Sequence, residues 1–223
     1  MLDSTDSNRP QRRSALVAHE LSRLNVDIAA LSEVRFPEVG SLKEQGAGYT
    51  LYWSGKPQSE RRLSGVGFMV ENTMAAKLEN LPTGHSDRIM PMRLPLRKKQ
   101  YITLLSVYAP TLQADPADKD MFYTELRNLV RNTPADDKVI ILGDFNARVG
   151  PDSEAWKGAF GKHGVGNCND NGRLLLEFCA EMQLAITNTI FQQINRADLQ
   201  SSLAVKVGRF GLPHRHLSRN TLG

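Results

Sequence analysis

The chain has 223 residues, 40% of them hydrophobic and 23% charged, and its 28 basic and 24 acidic residues leave a net charge of +4. That is the ordinary composition of a soluble globular protein, with enough chain for one large domain or two small ones, and a charge that permits nucleic-acid binding without demanding it. Two cysteines, Cys168 and Cys179, argue against a disulfide framework, and no apolar run approaches the roughly 20 residues of a membrane span. The polar, acid-bearing opening Leu2-Asp3-Ser4-Thr5-Asp6-Ser7 reads as neither a secretory signal nor a transit peptide, so an intracellular, reducing setting is expected.

In chain order, Asn8 and Pro10 suit the start of a helix, and Val17, Leu21 and Leu24 repeat at helical spacing, which predicts a helix over 10–24. Residues 26–31 form an apolar run of strand length that ends in Ser32-Glu33-Val34-Arg35, leaving a carboxylate at a strand mouth. Tyr49-Thr50-Leu51-Tyr52-Trp53 and Val66-Gly67-Phe68-Met69-Val70 read as two strands of a hairpin, joined by a basic turn that carries Arg61 and Arg62. Residues 89–96 and 101–108 predict two more strands around the charged turn Arg97-Lys98-Lys99, the second ending in Tyr108-Ala109-Pro110. A helix is expected over 116–132, and a glycine-rich loop over 151–170. Asn169-Asp170-Asn171-Gly172 reads as the turn and cap of a helix over 173–182, followed by a last strand over 184–189.

Between the two later helices stands Val139-Ile140-Ile141-Leu142-Gly143-Asp144-Phe145-Asn146. Four branched apolar residues predict a strand buried on both faces, and Gly143 permits a bend or a close approach at its end. On extended backbone, residues two apart point the same way, so Asp144 and Asn146 would face one site while Phe145 turns into the core. The same residues would also form an Asx turn that closes the strand. The elements together predict one α/β domain of mixed sheets with helices outside, and no repeats.

Three strand-end motifs, Ser32-Glu33-Val34-Arg35, Ser106-Val107-Tyr108-Ala109-Pro110 and Gly143-Asp144-Phe145-Asn146, resemble in order and spacing the endonuclease/exonuclease/phosphatase superfamily. The text around them, from Asp27 to Glu33 and from Leu142 to Gly150, is similar to the apurinic-type endonuclease domain of non-LTR retrotransposons and its craniofacial-development-protein relatives. The resemblance implies an α/β four-layer α/β/β/α sandwich over residues 1–191. It also implies that Glu33 holds a magnesium ion (manganese being the alternative), that Asp144 orients or deprotonates the attacking water, that Asn146 contacts the phosphate and that Tyr108 donates a hydrogen bond to it. DNA is the implied partner and the nucleus an allowed location.

The family pattern also has a first strand bearing an asparagine and a closing Asp-His pair. The expectation is therefore an incomplete sandwich lacking its first and last strands, with 192–223 a divergent, poorly ordered basic tail in which His214 and His216 lack adjacent acids. Loss of a general acid/base partner costs about 10²–10⁴-fold in rate. Magnesium-dependent phosphodiester hydrolysis, impaired by truncation, thus stands beside two alternatives. One is a nucleic-acid-binding remnant that uses Arg61, Arg62, Arg97, Lys98 and Lys99; the other is an inert fragment of a mobile element.

Overall fold

The central strands are buried on both faces, because each presents one face to a second sheet and the other to a helix. The computed structural model describes residues 13–190, apart from 45, 62, 153–155, 157, 160 and 165, together with 207–208. Helix α1 (Arg13–Arg23) precedes β1 (Ile28–Ser32), β2 (Val39–Glu44), β3 (Tyr49–Ser54), β4 (Val66–Glu71) and the short α2 (Asn72–Ala75). Then come β5 (Ile89–Pro95), β6 (Tyr101–Tyr108), α3 (Pro116–Asn132), β7 (Lys138–Asp144), α4 (Asp170–Met182), β8 (Ala185–Ile186) and β9 (Val207–Gly208).

One sheet has the order β1-β4-β3-β2 and the other β5-β6-β7-β9-β8. Tyr52, Phe68 and Val70 from the first meet Met90, Met92 and Leu104 from the second, which makes the inter-sheet core. Leu51 and Met69, on alternate positions of β3 and β4, point the other way and pack on Ala18 of α1. Leu105, Val107, Val139 and Ile141 face outward from the second sheet onto Phe122 and Leu126 of α3 and Leu175 and Phe178 of α4. The layers run helix, sheet, sheet, helices, which is the α/β four-layer arrangement expected.

Several elements differ from the sequence reading, each for a local reason. The first helix is seen from Arg13, residues 1–12 lying outside the described residues. Strand β2 was not anticipated: Val-Gly-Ser-Leu-Lys-Glu has two branched apolar residues and a glycine, and as an edge strand it alternates between exposed and half-buried. The last predicted strand shrinks to Ala185–Ile186, because Thr187–Thr189 closes into a 3-10 turn in which the Thr189 hydroxyl donates to the Ile186 carbonyl. Within the stretch read as a tail, Val207–Gly208 forms β9 between β7 and β8. Two residues carry no periodicity for a sequence reading to detect, and the rest of 191–223 lies outside the described residues.

What positions the site is the pairing of β6 with β7, which is parallel and joined by the α3 crossover. Parallel pairing brings the carboxyl ends of both strands to one edge, with Tyr108 opposite Asp144. Gly143 makes this possible. Its φ is +150°, and a Cβ there would lie 1.9 Å from the Val107 carbonyl oxygen. Across the sheets, the Ser32 hydroxyl donates to the Val107 carbonyl at 3.3 Å and the Ser106 hydroxyl to the Leu31 carbonyl at 3.5 Å. These bonds hold the end of β1 against the end of β6.

Candidate active site

The residue after β1 is Glu33, whose backbone takes a left-handed φ of 54°. Such a conformation is uncommon for a long side chain and persists where the surroundings enforce it. From it the side chain meets Tyr108, whose hydroxyl donates to Glu33 Oε1 at 2.8 Å. Arg35 reaches the other oxygen, Nη2 to Oε2 at 2.7 Å. The Tyr108 hydrogen bond, helped by Arg35, holds the Glu33 carboxyl below its ordinary range, so it stays ionised. Burial and the Glu33 carboxylate push the Tyr108 phenol up to about 12, so at neutral pH it remains a donor.

Asp144 and Asn146 meet the same edge, though not by the extended geometry expected of them. The strand ends at Asp144, Phe145 drops into the core at 1% exposure, and Asn146 turns back with φ 48°. The Asn146 backbone N–H donates to Asp144 Oδ1 at 2.8 Å, which is an Asx turn, and asparagine tolerates that left-handed backbone because its side chain bonds locally. The Asn146 side-chain amide donates to the Ala109 carbonyl at 2.9 Å, and the Ala109 N–H to the Asp144 carbonyl at 2.9 Å. The Asx turn and the shared site are therefore one structure. All four predicted residues, Glu33, Tyr108, Asp144 and Asn146, come together at the ends of β1, β6 and β7.

Two further groups belong to this edge and escaped the sequence reading. Arg88, just before β5, donates from Nη1 to the Tyr108 carbonyl at 3.1 Å and lies 5.6 Å from the Tyr108 ring centroid. No motif marks it; only the antiparallel pairing of β5 with β6 brings it there. Asn171 was read as part of a helix cap, yet its side-chain amide donates to the carbonyls of Pro110 and Asn146, one on each strand-end loop. The basic turn Arg97-Lys98-Lys99 lies elsewhere. It joins β5 to β6 at the end remote from Tyr108, roughly 20 Å away along a strand of eight residues. The half-buried Arg88 is instead on the site's side, Arg61 is exposed in the loop between β3 and β4, and Arg62 lies outside the described residues.

The donor set suits a hard divalent cation. Glu33 and Asp144 supply carboxylates on either side of Tyr108, and magnesium needs only one or two of these when water and phosphate complete its shell. Among the described residues no group of three or more His, Cys, Asp or Glu side chains gathers. An ion here would depend on those two carboxylates and on its waters.

A family model described as the endonuclease/exonuclease/phosphatase family matches residues 2–181. The chain belongs to the endonuclease/exonuclease/phosphatase family. It is 36% identical over 184 residues to craniofacial development protein 2 of Bos taurus, and 35% identical over 184 residues to that of Tragulus javanicus. Each match covers 81% of this chain and 29% or 30% of the relative, so the chain spans under a third of their length. An AP endonuclease from Archaeoglobus fulgidus superposes with a TM-score of 0.52 at 13% identity, over 88% of this chain and 81% of that one. A family protein from Leptotrichia buccalis gives 0.52 and 13%, over 93% and 84%. These likenesses agree with the sandwich described above. No helix among the described residues is long and apolar enough to cross a membrane.

Proposed function

We infer that this protein hydrolyses phosphodiester bonds in DNA with a divalent metal ion, magnesium or manganese. One observation carries the reading: a phenol held in its protonated form donates to an ionised carboxylate, and a second carboxylate stands opposite that tyrosine on the neighbouring strand. A phosphodiester needs its charge offset and a water aligned for in-line attack, and this edge offers groups for both. A magnesium ion bound at Glu33 would offset charge on the phosphate and lower the pKa of a bound water.

The residues have separate tasks in this reading. Asp144, fixed by the Asn146 N–H, orients the water and accepts its proton. Tyr108 donates to a non-bridging phosphate oxygen once substrate displaces its bond to Glu33. Asn146 keeps an N–H and its Oδ1 beyond the bond to Ala109, and it contacts the phosphate. Arg88 adds positive charge beside Tyr108, where the backbone of a duplex would pass. DNA is favoured over other phosphodiesters by the retrotransposon-like text around Glu33 and Asp144 and by the similarity of fold to an AP endonuclease. Nicking of supercoiled plasmid, with magnesium and with chelator, tests the reading. The expected result is metal-dependent nicking abolished in Asp144→Ala; equal nicking by both proteins would overturn it.

A second reading, binding without turnover, is favoured by the Arg35–Glu33 ion pair, which engages the carboxylate that would hold the metal. It predicts salt-dependent binding of duplex DNA that Arg88→Ala weakens, with no nicking under any metal.

A further inference from the structure

We propose that Asn171, with Gly172 beside it, is a positioning residue that sets the distance between the two strand-end loops of the site; for catalysis this rests on the hydrolase reading above. Asn171 is 3% exposed in the first turn of α4. Its Nδ2 donates to the Pro110 carbonyl at 3.0 Å and to the Asn146 carbonyl at 3.2 Å. An amide has two N–H hydrogens, and here each goes to a different loop: the one after Tyr108 and the one after Asp144. One planar group thereby spans the gap between the phenol's loop and the carboxylate's loop. Its own Oδ1 is buried without a hydrogen-bond partner. A buried unpaired acceptor is costly, so what this side chain contributes to the fold is its two donated bonds.

The turn around it is built for the same docking. Asn169 Oδ1 accepts from the Gly172 N–H at 2.8 Å, capping the helix, and also from the Arg148 N–H at 3.0 Å. The Asn169 N–H returns to the Arg148 carbonyl at 3.0 Å. Gly172 is required for the approach, because a Cβ there would lie 1.8 Å from the Arg148 carbonyl oxygen. The start of α4 thus grips residues 146–148 from both sides while Asn171 reaches past them to Pro110. Asn146, which carries the phosphate contact in the reading above, has its carbonyl fixed by Asn171 and its side-chain amide fixed by Ala109.

The experiment compares Asn171→Ala with Val130→Ala, a core truncation in α3 at a side chain 1% exposed and remote from the loops. Both are assayed where each is fully folded, by nicking kinetics and by amide hydrogen exchange at Ala109 and Asn146, whose N–H groups bond Asp144. Asn171→Ala is expected to lower kcat about 10²-fold with KM within threefold, as a misplacement near 1 Å does, and to speed exchange at both amides at least tenfold. Val130→Ala is expected to do neither. Asn171→Asp, which turns acceptors toward two carbonyls, should be worse than Asn171→Ala in both readouts. Equal exchange at those amides in the alanine variants, or equal kcat, overturns the positioning role. Absence of nicking by the wild-type protein would sink the hydrolase reading instead, and the exchange comparison then decides the positioning role alone.

Discussion

Each end of the five-stranded sheet holds a tyrosine, carboxylates and an arginine, and the two sets are wired differently. At the end away from the site, Asp137 accepts both prongs of Arg93, at 2.7 and 2.9 Å, and the Thr103 hydroxyl at 2.9 Å. The Arg93 guanidinium lies 3.6 Å from the Tyr101 ring centroid, and the Tyr101 hydroxyl donates to Glu79 at 3.0 Å. Asp137 is 4% exposed and its acceptor capacity is largely filled by protein. At the site end, Asp144 is half-buried and the Asn146 N–H takes one of its roughly four acceptor positions. Glu33 is exposed on left-handed backbone with one donor on each oxygen. Saturated polar groups fix a structure, whereas carboxylates with positions to spare, held close together by cross-sheet bonds, are groups to which something else binds. The same residue types therefore support a structural reading at one end and a chemical one at the other.

The sharpest way to break this comparison is to exchange the losses. Asp144→Ala is expected to lower the nicking rate by about 10²–10⁴-fold while the melting temperature stays within a few degrees. Asp137→Ala should do the reverse, leaving kcat intact and lowering Tm by roughly 3–8 °C, since each kcal/mol is worth about 2–4 °C in a chain of this size. If both variants lose activity equally at equal folded fraction, the two ends do not differ as described. Next in size is Tyr108→Phe. Steady-state kinetics should show a kcat loss of about 10–100-fold, the scale of one charge-stabilising donor, and a small change in Tm.

Acidity separates the ends further. Glu33 and Asp137 both sit below their ordinary pKa, the first through Tyr108 and the second through Arg93 and Thr103. For a carboxyl depressed in the fold, the stabilisation is present above the unfolded-state pKa and is lost as pH falls through the folded value. Denaturation monitored from pH 6 downward should thus show an acid limb that flattens in Asp137→Asn. Glu33→Gln should flatten it less, because that pair is open to solvent. The smallest expected effect is alkaline. Tyr108 is raised from 10.0 to about 12, so its contribution is complete below pH 10 and fades as pH rises through about 12. Tyrosinate absorbance at pH 10.5 should differ little between wild type and Tyr108→Phe, and a full tyrosinate difference there would contradict the burial that raises it.

Much of this was legible before any fold was known. Strands β3, β4, β6 and β7 and helices α3 and α4 follow from apolar runs, aromatic content, helical spacing and the Asn169 cap. Gly143, Asp144 and Asn146 stand out because they close an apolar run with a carboxylate and an amide two residues apart. Strand β2 was hidden, since its residues are mostly exposed and it exists only because β3 offers an edge to pair with. The two residues of β9 were hidden because so short a segment carries no periodicity, and its place between β7 and β8 is decided by pairing.

The sequence by itself determined the layered α/β class, the identity of the strand-end residues and their order along the chain. These depend on local periodicity and on side-chain chemistry that neighbouring residues reveal. Only the tertiary structure decided that Glu33 lies 75 residues before its phenol partner yet within hydrogen-bonding distance of it, and that Arg88 flanks Tyr108. It also decided that Lys98 and Lys99 lie at the opposite end of the sheet, and that Asn171 ties two loops together. Such facts depend on which strands pair and in what register, and pairing is settled by the burial of whole faces rather than by any short stretch of chain.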